Sequence, residues 1–95
     1  MKLIFLSSCK ADIEWFRRYY RNVFPAGQSN GWHNFDRAKM FLKNNPQIGR
    51  PLDDGGLRKF SIPRTPFSFV YKIGDGVIQV VRVWDQRANR PDTWT

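Results

Sequence analysis

The first half of the chain contains one apolar run and two stripes of apolar residues at helical spacing. The run Lys2–Leu6 is short and predicts a strand. Beyond it, apolar side chains recur every three or four residues, which predicts two amphipathic helices. The first stripe is Ile13, Phe16, Tyr20 and Val23 or Phe24, and the second is Trp32, Phe35, Ala38 and Phe41-Leu42.

Polar residues flank both predicted helices. Because a side-chain oxygen accepts hydrogen bonds from the free amides of the first turn, we expect Ser7 or Ser8 to cap the first helix. By the same reasoning, we expect Ser29 or Asn30 to cap the second helix. Asn44-Asn45-Pro46 ends the second helix, since a proline disfavours helical geometry in the residue before it.

Strand patterns replace helical spacing in the second half. Residues 46–56 hold two prolines and three glycines, which predicts a loop. Three strand-like runs follow it, and these are Leu57–Ile62, Phe67–Ile73 and Val77–Trp84. The second run alternates as in a strand with one buried face, and the third is apolar on both faces, as in a central strand. Gly74-Asp75-Gly76 predicts a hairpin between them, because glycine tolerates positive φ.

Together these elements predict an α+β fold in a single domain spanning residues 1–95. We expect a four-stranded, mainly antiparallel sheet with two helices packed on one face. The predicted order is strand-helix-helix-strand-strand-strand.

Composition adds a strong positive charge to this picture. Sixteen lysines and arginines face eight acidic residues, giving a formal net charge of +8. Such an excess on a small domain favours an anionic partner, such as nucleic acid or an acidic protein. No apolar run reaches the roughly 18 residues of a spanning helix, so we expect no membrane contact. The lone Cys9 excludes an internal disulfide, and we expect a cytoplasmic protein.

Enzymatic motifs are weak in this chain. A nucleophile with a base would need His33, the only histidine, together with Cys9 or a serine. Cys9 and His33 are each more typical of a packing or surface residue. Asp53-Asp54 precedes two glycines, as in a turn in which the carboxylates bond to their own backbone. Further ligands at suitable spacing are missing, so we expect no metal. Gly74 and Gly76 join two strands rather than opening a helix, so we expect no nucleotide cofactor.

Cations and aromatic rings are interleaved near the chain's end. Arg58 and Lys59 are expected on opposite faces of their strand, and Arg82 interrupts an apolar run. Arg87 and Arg90 follow where the last strand leaves the sheet. Arginines among rings such as Tyr71, Trp84 and Trp94 can hold phosphates and stack bases. The alternatives are a solvated face or contact with an acidic protein for the cations, and packing in the core for the rings.

Several phrases of the second half, taken in order, resemble the RelE/ParE family of bacterial toxins. They are Pro51-Leu52, Gly56-Leu57-Arg58-Lys59-Phe60, Thr65-Pro66-Phe67-Ser68-Phe69-Val70-Tyr71 and Val77-Ile78-Gln79-Val80-Val81-Arg82-Val83-Trp84. The resemblance implies the toxin of a type II toxin–antitoxin module, neutralised by a cognate antitoxin. RelE-like members cut messenger RNA in the ribosomal A site, whereas ParE-like members poison DNA gyrase and are not nucleases.

The RelE reaction looks incomplete in this sequence. The resemblance matches Lys59 to the first lysine of the nuclease pattern, and Arg87 lies near its late arginine. The next two basic positions fall on Ser61 and Ser68, and Trp94 stands where a tyrosine or histidine often assists. Because cations stabilise the phosphate charge in that reaction, two missing charges weaken the nuclease interpretation.

We therefore expect a non-enzymatic toxin that binds DNA gyrase. The first alternative is a ribosome-dependent endoribonuclease acting on messenger RNA with Lys59, Arg82 and Arg87. The second is a degenerate toxin that acts only as a binding partner. The predicted target-binding residues are Arg58, Lys59, Arg64, Arg82, Arg87, Arg90 and Trp94, and the predicted antitoxin-binding residues are Trp15, Tyr19, Arg17 and Arg18.

Overall fold

The computed structural model describes residues 1–52 and 55–88. Its strands are β1 (Lys2–Phe5), β2 (Arg50–Pro51), β3 (Arg58–Ser61), β4 (Phe67–Gly74) and β5 (Val77–Asp85). Its helices are α1 (Lys10–Arg18) and α2 (Gln28–Asn44), with short helical turns at Ser7–Cys9 and Pro25–Gly27 and a widened turn at Tyr19–Val23.

Five strands, not the predicted four, form the sheet of the described residues. Their order is β1-β5-β4-β3-β2, with β1 parallel to β5 and the other neighbours antiparallel. The additional strand is β2, whose two residues pair with Lys59 and Arg58. The prediction of a loop over residues 46–56 was therefore wrong at Arg50–Pro51. A strand of two residues is too short to produce a recognisable alternation of apolar and polar positions in the sequence. The prediction of β5 as a central strand is confirmed, since it lies between β1 and β4.

Aromatic rings fill the layer between the helices and the sheet. Phe16 of α1 is fully buried at the centre of this layer. Its ring centroid lies 4.7 Å from that of Trp32, 5.1 Å from Phe35 and 4.8 Å from Phe67. Both helices contribute to this one core cluster, as the prediction of two helices on one face requires.

The widened turn after α1 shifts the phase of the apolar stripe. Tyr20 is still buried, but the five-residue turn carries the following side chains outward. Val23 is 59% and Phe24 is 50% exposed, so the prediction that one of them completes the buried stripe was wrong. In α2 the pair Phe41-Leu42 is split, because Leu42 is buried while Phe41 is 42% exposed.

A second, smaller apolar cluster covers the sheet face away from the helices. Leu57, Val70 and Val81 are buried there, packed with partly buried leucines and Trp84. Ser68 is also fully buried. The prediction that β4 has only one buried face was therefore wrong, because every residue from Phe67 to Tyr71 is buried.

The predicted serine caps do not form. Neither helix has a side-chain hydrogen bond at its N-cap, and the cap residues are Cys9 and Gly27. Ser8 Oγ instead donates to the carbonyl of Val81 at 2.6 Å. Ser29 and Asn30 lie inside α2, because that helix begins earlier, at Gln28.

Candidate functional site

One face of α1 and its preceding turn lies along β5 and bonds to it. Cys9 Sγ lies 3.1 Å from the carbonyl oxygen of Val80. Asp12 Oδ2 accepts from the amide of Val83 at 3.0 Å. Ser8 and Asp12 bond to Val81 and Val83, which lie beyond Val80, the last residue of β5 that pairs with β1. We call Ser8, Cys9, Asp12 and Trp15, with the β5 residues they bond, the α1 flank.

Burial makes Cys9 a structural residue of this flank. Its side chain is fully buried. Burial, followed by the nearby Asp12 carboxylate, raises the pKa of the Cys9 thiol to about 12. A thiol in that state carries almost no thiolate at neutral pH, so it is a poor nucleophile.

Arg82 forms a bidentate ion pair with Asp12. Val70 pairs with Arg82 but Tyr71 pairs with Val80, so a β-bulge occurs in β5. From there the Arg82 guanidinium donates to the two carboxylate oxygens of Asp12 at 2.6 and 2.9 Å, and it stacks over Trp84 at 5.4 Å. The bond to Asp12 raises the pKa of Arg82. Its charge is thus largely neutralised within the chain.

Arg87 and the predicted antitoxin residues of α1 come together in one cluster. The Arg87 guanidinium lies 4.5 Å from the centroid of the Tyr19 ring and bonds to both oxygens of Asp85 at 2.9 and 2.8 Å. Trp15 Nε1 donates to the same carboxylate at 3.0 Å, and Arg18 lies 5.7 Å over the Trp15 ring. The bond from Arg87 and the one from Trp15 lower the pKa of Asp85 to about 2.

Two rows of paired residues cross the sheet face away from the helices. Paired residues of adjacent strands share a face. The first row is Lys59, Val70 and Arg82, and the second is Ser61, Ser68 and Trp84. The hydroxyls of Ser61 and Ser68 lie 3.4 Å apart, and Gln86 Nε2 lies 3.4 Å from Ser61 Oγ. The two serines at positions where the nuclease pattern carries cations are therefore neighbours in a neutral row.

Arg58 lies on the opposite face from Lys59, as predicted. It pairs with Tyr71, and its guanidinium donates to the carbonyls of Gly49 and Gln47 at 2.7 and 3.2 Å. The Tyr71 hydroxyl accepts from the Gly49 amide at 2.9 Å and donates to Pro46 at 2.8 Å. Burial raises the pKa of that hydroxyl. Arg58 thereby helps to secure the loop that leads into β2.

Arg64 lies in a different part of the molecule, beside α2. It occupies the turn between β3 and β4 with a left-handed φ of 62°. Two adjoining cavities of about 400 and 290 Å³ share Asn34, Arg37 and Arg64 in their lining. The larger one is also lined by Ala38, Pro63 and the rings of Phe41 and Phe60, whose centroids lie 5.9 Å apart. We call these two cavities the α2 cleft.

The predicted site residues therefore do not form one surface. Lys59 and Arg82 share a sheet face, Arg87 joins Trp15, Arg18 and Tyr19, and Arg58 and Arg64 lie elsewhere. Arg17 bonds to Glu14 at 3.1 Å on the exposed side of α1. Arg90 and Trp94 lie outside the described residues.

Sequence reasoning missed Asn34, Arg37 and the exposure of Phe41. The available signal is their spacing, since Asn34, Arg37, Ala38 and Phe41 occupy the i, i+3, i+4 and i+7 positions of one helix face. Because this stripe mixes polar and apolar residues, its hydrophobic pattern does not identify it as one functional face of α2.

Within residues 1–52 and 55–88, no three His, Cys, Asp or Glu side chains group in a way that could hold a metal ion. No helix in those ranges has the length and apolar character needed to cross a bilayer.

Known proteins share this fold and sequence pattern. The family model described as ParE toxin of type II toxin–antitoxin system, parDE, matches residues 3–90. A chain of the chromosomal ParDE toxin–antitoxin system from P. aeruginosa has the same fold with a TM-score of 0.69 and 23% identity, covering 87% of this chain and 92% of that chain. No curated protein sequence matches. Because the family model spans nearly the whole sequence, the chain belongs to the ParE toxin family of type II toxin–antitoxin systems.

Proposed function

We propose that this ParE-family toxin inhibits growth by binding DNA gyrase and does not cut RNA. The neutral row on the sheet face carries the proposal. Ser61 and Ser68 contribute hydroxyls where a metal-independent nuclease needs cations, and Ser68 is fully buried. The neighbouring Arg82 is already engaged by Asp12. A phosphoryl-transfer transition state needs positive charge aimed at it, and this arrangement supplies little.

Binding to a large protein fits the remaining features of the surface. The chain carries a net charge of +8, and several large apolar side chains are exposed, among them Phe24, Met40 and Phe41. Basic residues steer association with an acidic partner, and exposed apolar residues supply buried area once contact is made.

Induction of the chain in cells separates the two mechanisms. We expect a reporter plasmid to lose negative supercoiling while the ends of messenger RNA stay unchanged. Lys59→Ala, which removes the residue matched to the nuclease lysine, should leave the transcript ends as they are. New cuts within codons that disappear in Lys59→Ala would overturn the proposal in favour of the endoribonuclease.

We also propose that the cognate antitoxin contacts the outer side of α1. Arg17 and Arg18 are exposed there, and Trp15 and Tyr19 are half-buried beside them. Since Arg87 stacks on Tyr19, an antitoxin seated on α1 covers that predicted target residue as well. The antitoxin then neutralises the toxin by covering part of the surface with which the toxin binds its target.

Co-expression with the antitoxin encoded beside the toxin tests this contact. Arg18→Glu should weaken co-purification about tenfold, because it reverses a charge within the interface. Lys2→Glu is the matched control, since Lys2 is exposed and lies in β1 rather than on α1. Equal losses in both variants would contradict a specific contact on α1.

A further inference from the structure

The connection between α1 and α2 exposes a run of adjacent apolar residues. Every residue from 21 to 26 is exposed, and we call residues 21–26 the hairpin tip. Val23, at 59%, is the most exposed large apolar side chain among the described residues, and Phe24 beside it is 50% exposed. Pro25 and Ala26 continue this apolar surface. Exposed apolar patches of this kind are typical of sites that bind a partner.

The widened turn after α1 directs these side chains outward. Its closing hydrogen bond runs from the Phe24 amide to the Tyr19 carbonyl at 2.8 Å, so it spans five residues where an α-helix spans four. In a regular helix, the spacing that follows Tyr20 would direct Val23 or Phe24 towards the core. Single π-helical turns are rare and are frequent at functional sites. The backbone therefore departs from regular geometry at the place where it exposes the hairpin tip.

The Phe24 ring is held in position although half of it is exposed. A Cβ atom built on Gly27 would lie 2.4 Å from Phe24 Cε2, so the ring lies directly against the backbone at Gly27. The centroid of the Phe24 ring lies 6.3 Å from that of the buried Tyr20 ring. An aromatic side chain that is already ordered loses little entropy on binding, which is a property of good anchor residues in interfaces.

The charges around the hairpin tip have one sign. The sequence has no acidic residue between Glu14 and Asp36, and this stretch contains Arg17, Arg18 and Arg21. Arg17 bonds to Glu14, whereas Arg21 is exposed and forms no ion pair within residues 1–52 and 55–88. An apolar patch with a cationic border is complementary to an apolar pocket bordered by carboxylates.

We infer that the hairpin tip inserts Phe24, with Val23 beside it, into an apolar pocket of the toxin's protein target, and that Arg21 pairs with a carboxylate at the edge of that pocket. The inference rests on the proposed function, since it takes gyrase as the target. A second copy of the chain is disfavoured, because a symmetric contact between two tips brings Arg21 close to its own copy. The fixed Phe24 ring favours a shaped protein pocket over a lipid surface.

Binding of the purified full chain to immobilised gyrase, measured by surface plasmon resonance, tests the inference. We expect Val23→Asp and Phe24→Ser each to weaken binding about tenfold, because each removes apolar area from the contact. Arg21→Glu should weaken binding about fivefold by placing an acidic side chain beside the carboxylate of the target. The same three variants should require correspondingly more protein to stop supercoiling by gyrase.

Matched variants elsewhere on the chain distinguish a specific contact from a general loss of apolar or basic surface. Ile48→Asp makes the change of Val23→Asp at another exposed β-branched residue, and Lys2→Glu reverses a charge in β1. Both should change affinity less than about twofold. Thermal unfolding verifies that every variant is folded. Val23→Asp remains informative if Phe24→Ser destabilises the chain, since the Val23 side chain is mostly in solvent.

The behaviour of the unsubstituted chain separates failure of the inference from failure of the proposed function. If that chain binds gyrase and Val23→Asp binds as well as Ile48→Asp, the inference is overturned and the proposed function stands. If the unsubstituted chain does not bind gyrase, the proposed function is overturned together with this assignment of the hairpin tip.

Other occupants of the hairpin tip would give different results. Cosedimentation with phosphatidylglycerol vesicles that Val23→Asp abolishes, with gyrase binding unchanged, would assign the tip to a membrane surface. Loss of antitoxin co-purification in Val23→Asp, with gyrase binding unchanged, would assign the tip to the antitoxin. Self-association that Val23→Asp abolishes, again with gyrase binding unchanged, would assign it to a second copy of the chain. Each of these results would overturn the inference.

Discussion

The α1 flank and the α2 cleft lie on the same side of the sheet but use their polar side chains differently. On the α1 flank, Ser8, Cys9, Asp12 and Trp15 all bond to β5. In the cleft, the guanidinium groups of Arg37 and Arg64 make no hydrogen bond or ion pair among the described residues, and Phe41 is partly exposed. The polar side chains of the first region hold the fold together, whereas those of the second leave cations and an aromatic ring open to solvent. The positions of charged residues in the sequence do not distinguish the two regions, since both contain arginines.

The most extreme expected difference concerns the reactivity of Cys9. With its pKa raised to about 12, the thiol should alkylate about a thousandfold more slowly at pH 7.5 in the folded chain than after unfolding. Cys9 is the only cysteine, so the rate of iodoacetamide labelling reports it alone. Equal rates in native buffer and in urea would contradict the burial that defines the α1 flank.

Removal of the Asp12 carboxylate should destabilise the chain strongly. Asp12→Ala leaves Arg82 and the Val83 amide without their acceptor, and we expect a loss of about 2–3 kcal/mol in the free energy of unfolding. Urea denaturation measures this loss. Asp36→Ala on the exposed side of α2 is the control and should change stability by less than about 0.5 kcal/mol. Similar losses in the two variants would remove the distinction between the regions.

Asp85 should contribute stability that depends on pH. Its pKa is lowered to about 2 in the folded chain, so its contribution is fully present above pH 4 and is lost as the pH falls through about 2. Asp85→Asn should cost about 1–2 kcal/mol at pH 7. The difference in unfolding free energy between the two proteins should shrink as the pH falls from 4 towards 2. A difference that stays constant over that range would contradict the role of the Arg87 and Trp15 bonds.

The smallest expected change in stability comes from Arg64 in the α2 cleft, and it is a gain rather than a loss. Arg64→Gly relieves the left-handed backbone and should stabilise the chain by about 0.5 kcal/mol, after the entropic cost of glycine. Asp75, at a φ of 54° in the β4–β5 turn, is the control, because aspartate tolerates this conformation better. Asp75→Gly should therefore gain less. Thermal unfolding of both variants measures the difference, and a loss of stability in Arg64→Gly would show that its side chain supports the fold.

Local pattern predicted much of this fold. Among the described residues, periodicity located both α-helices and four of the five strands, and the hairpin at Gly74-Asp75-Gly76 forms between β4 and β5 as predicted. Periodicity could not predict β2, which has two residues. It also could not predict that Ser8 would bond to a strand 73 residues away instead of capping its own helix, since local and distant acceptors look the same in a sequence.

The candidate site was predicted less well because it depends on such long-range pairing. Arg82 was expected to face a target, yet its partner Asp12 lies 70 residues away. The charge of Arg64 is visible in the sequence, whereas its position in one cleft with Arg37 is visible only in the structure. The family resemblance could be read from ordered phrases of the second half, and the family model confirms it.

Supercoiling of a relaxed plasmid by purified gyrase, titrated with the purified chain, tests the central claim most directly. We expect supercoiling to stop when the chain reaches excess over gyrase, and a synthetic messenger RNA in the same mixture to remain intact. Unchanged gyrase activity at a large excess of a chain that still arrests growth would contradict the account.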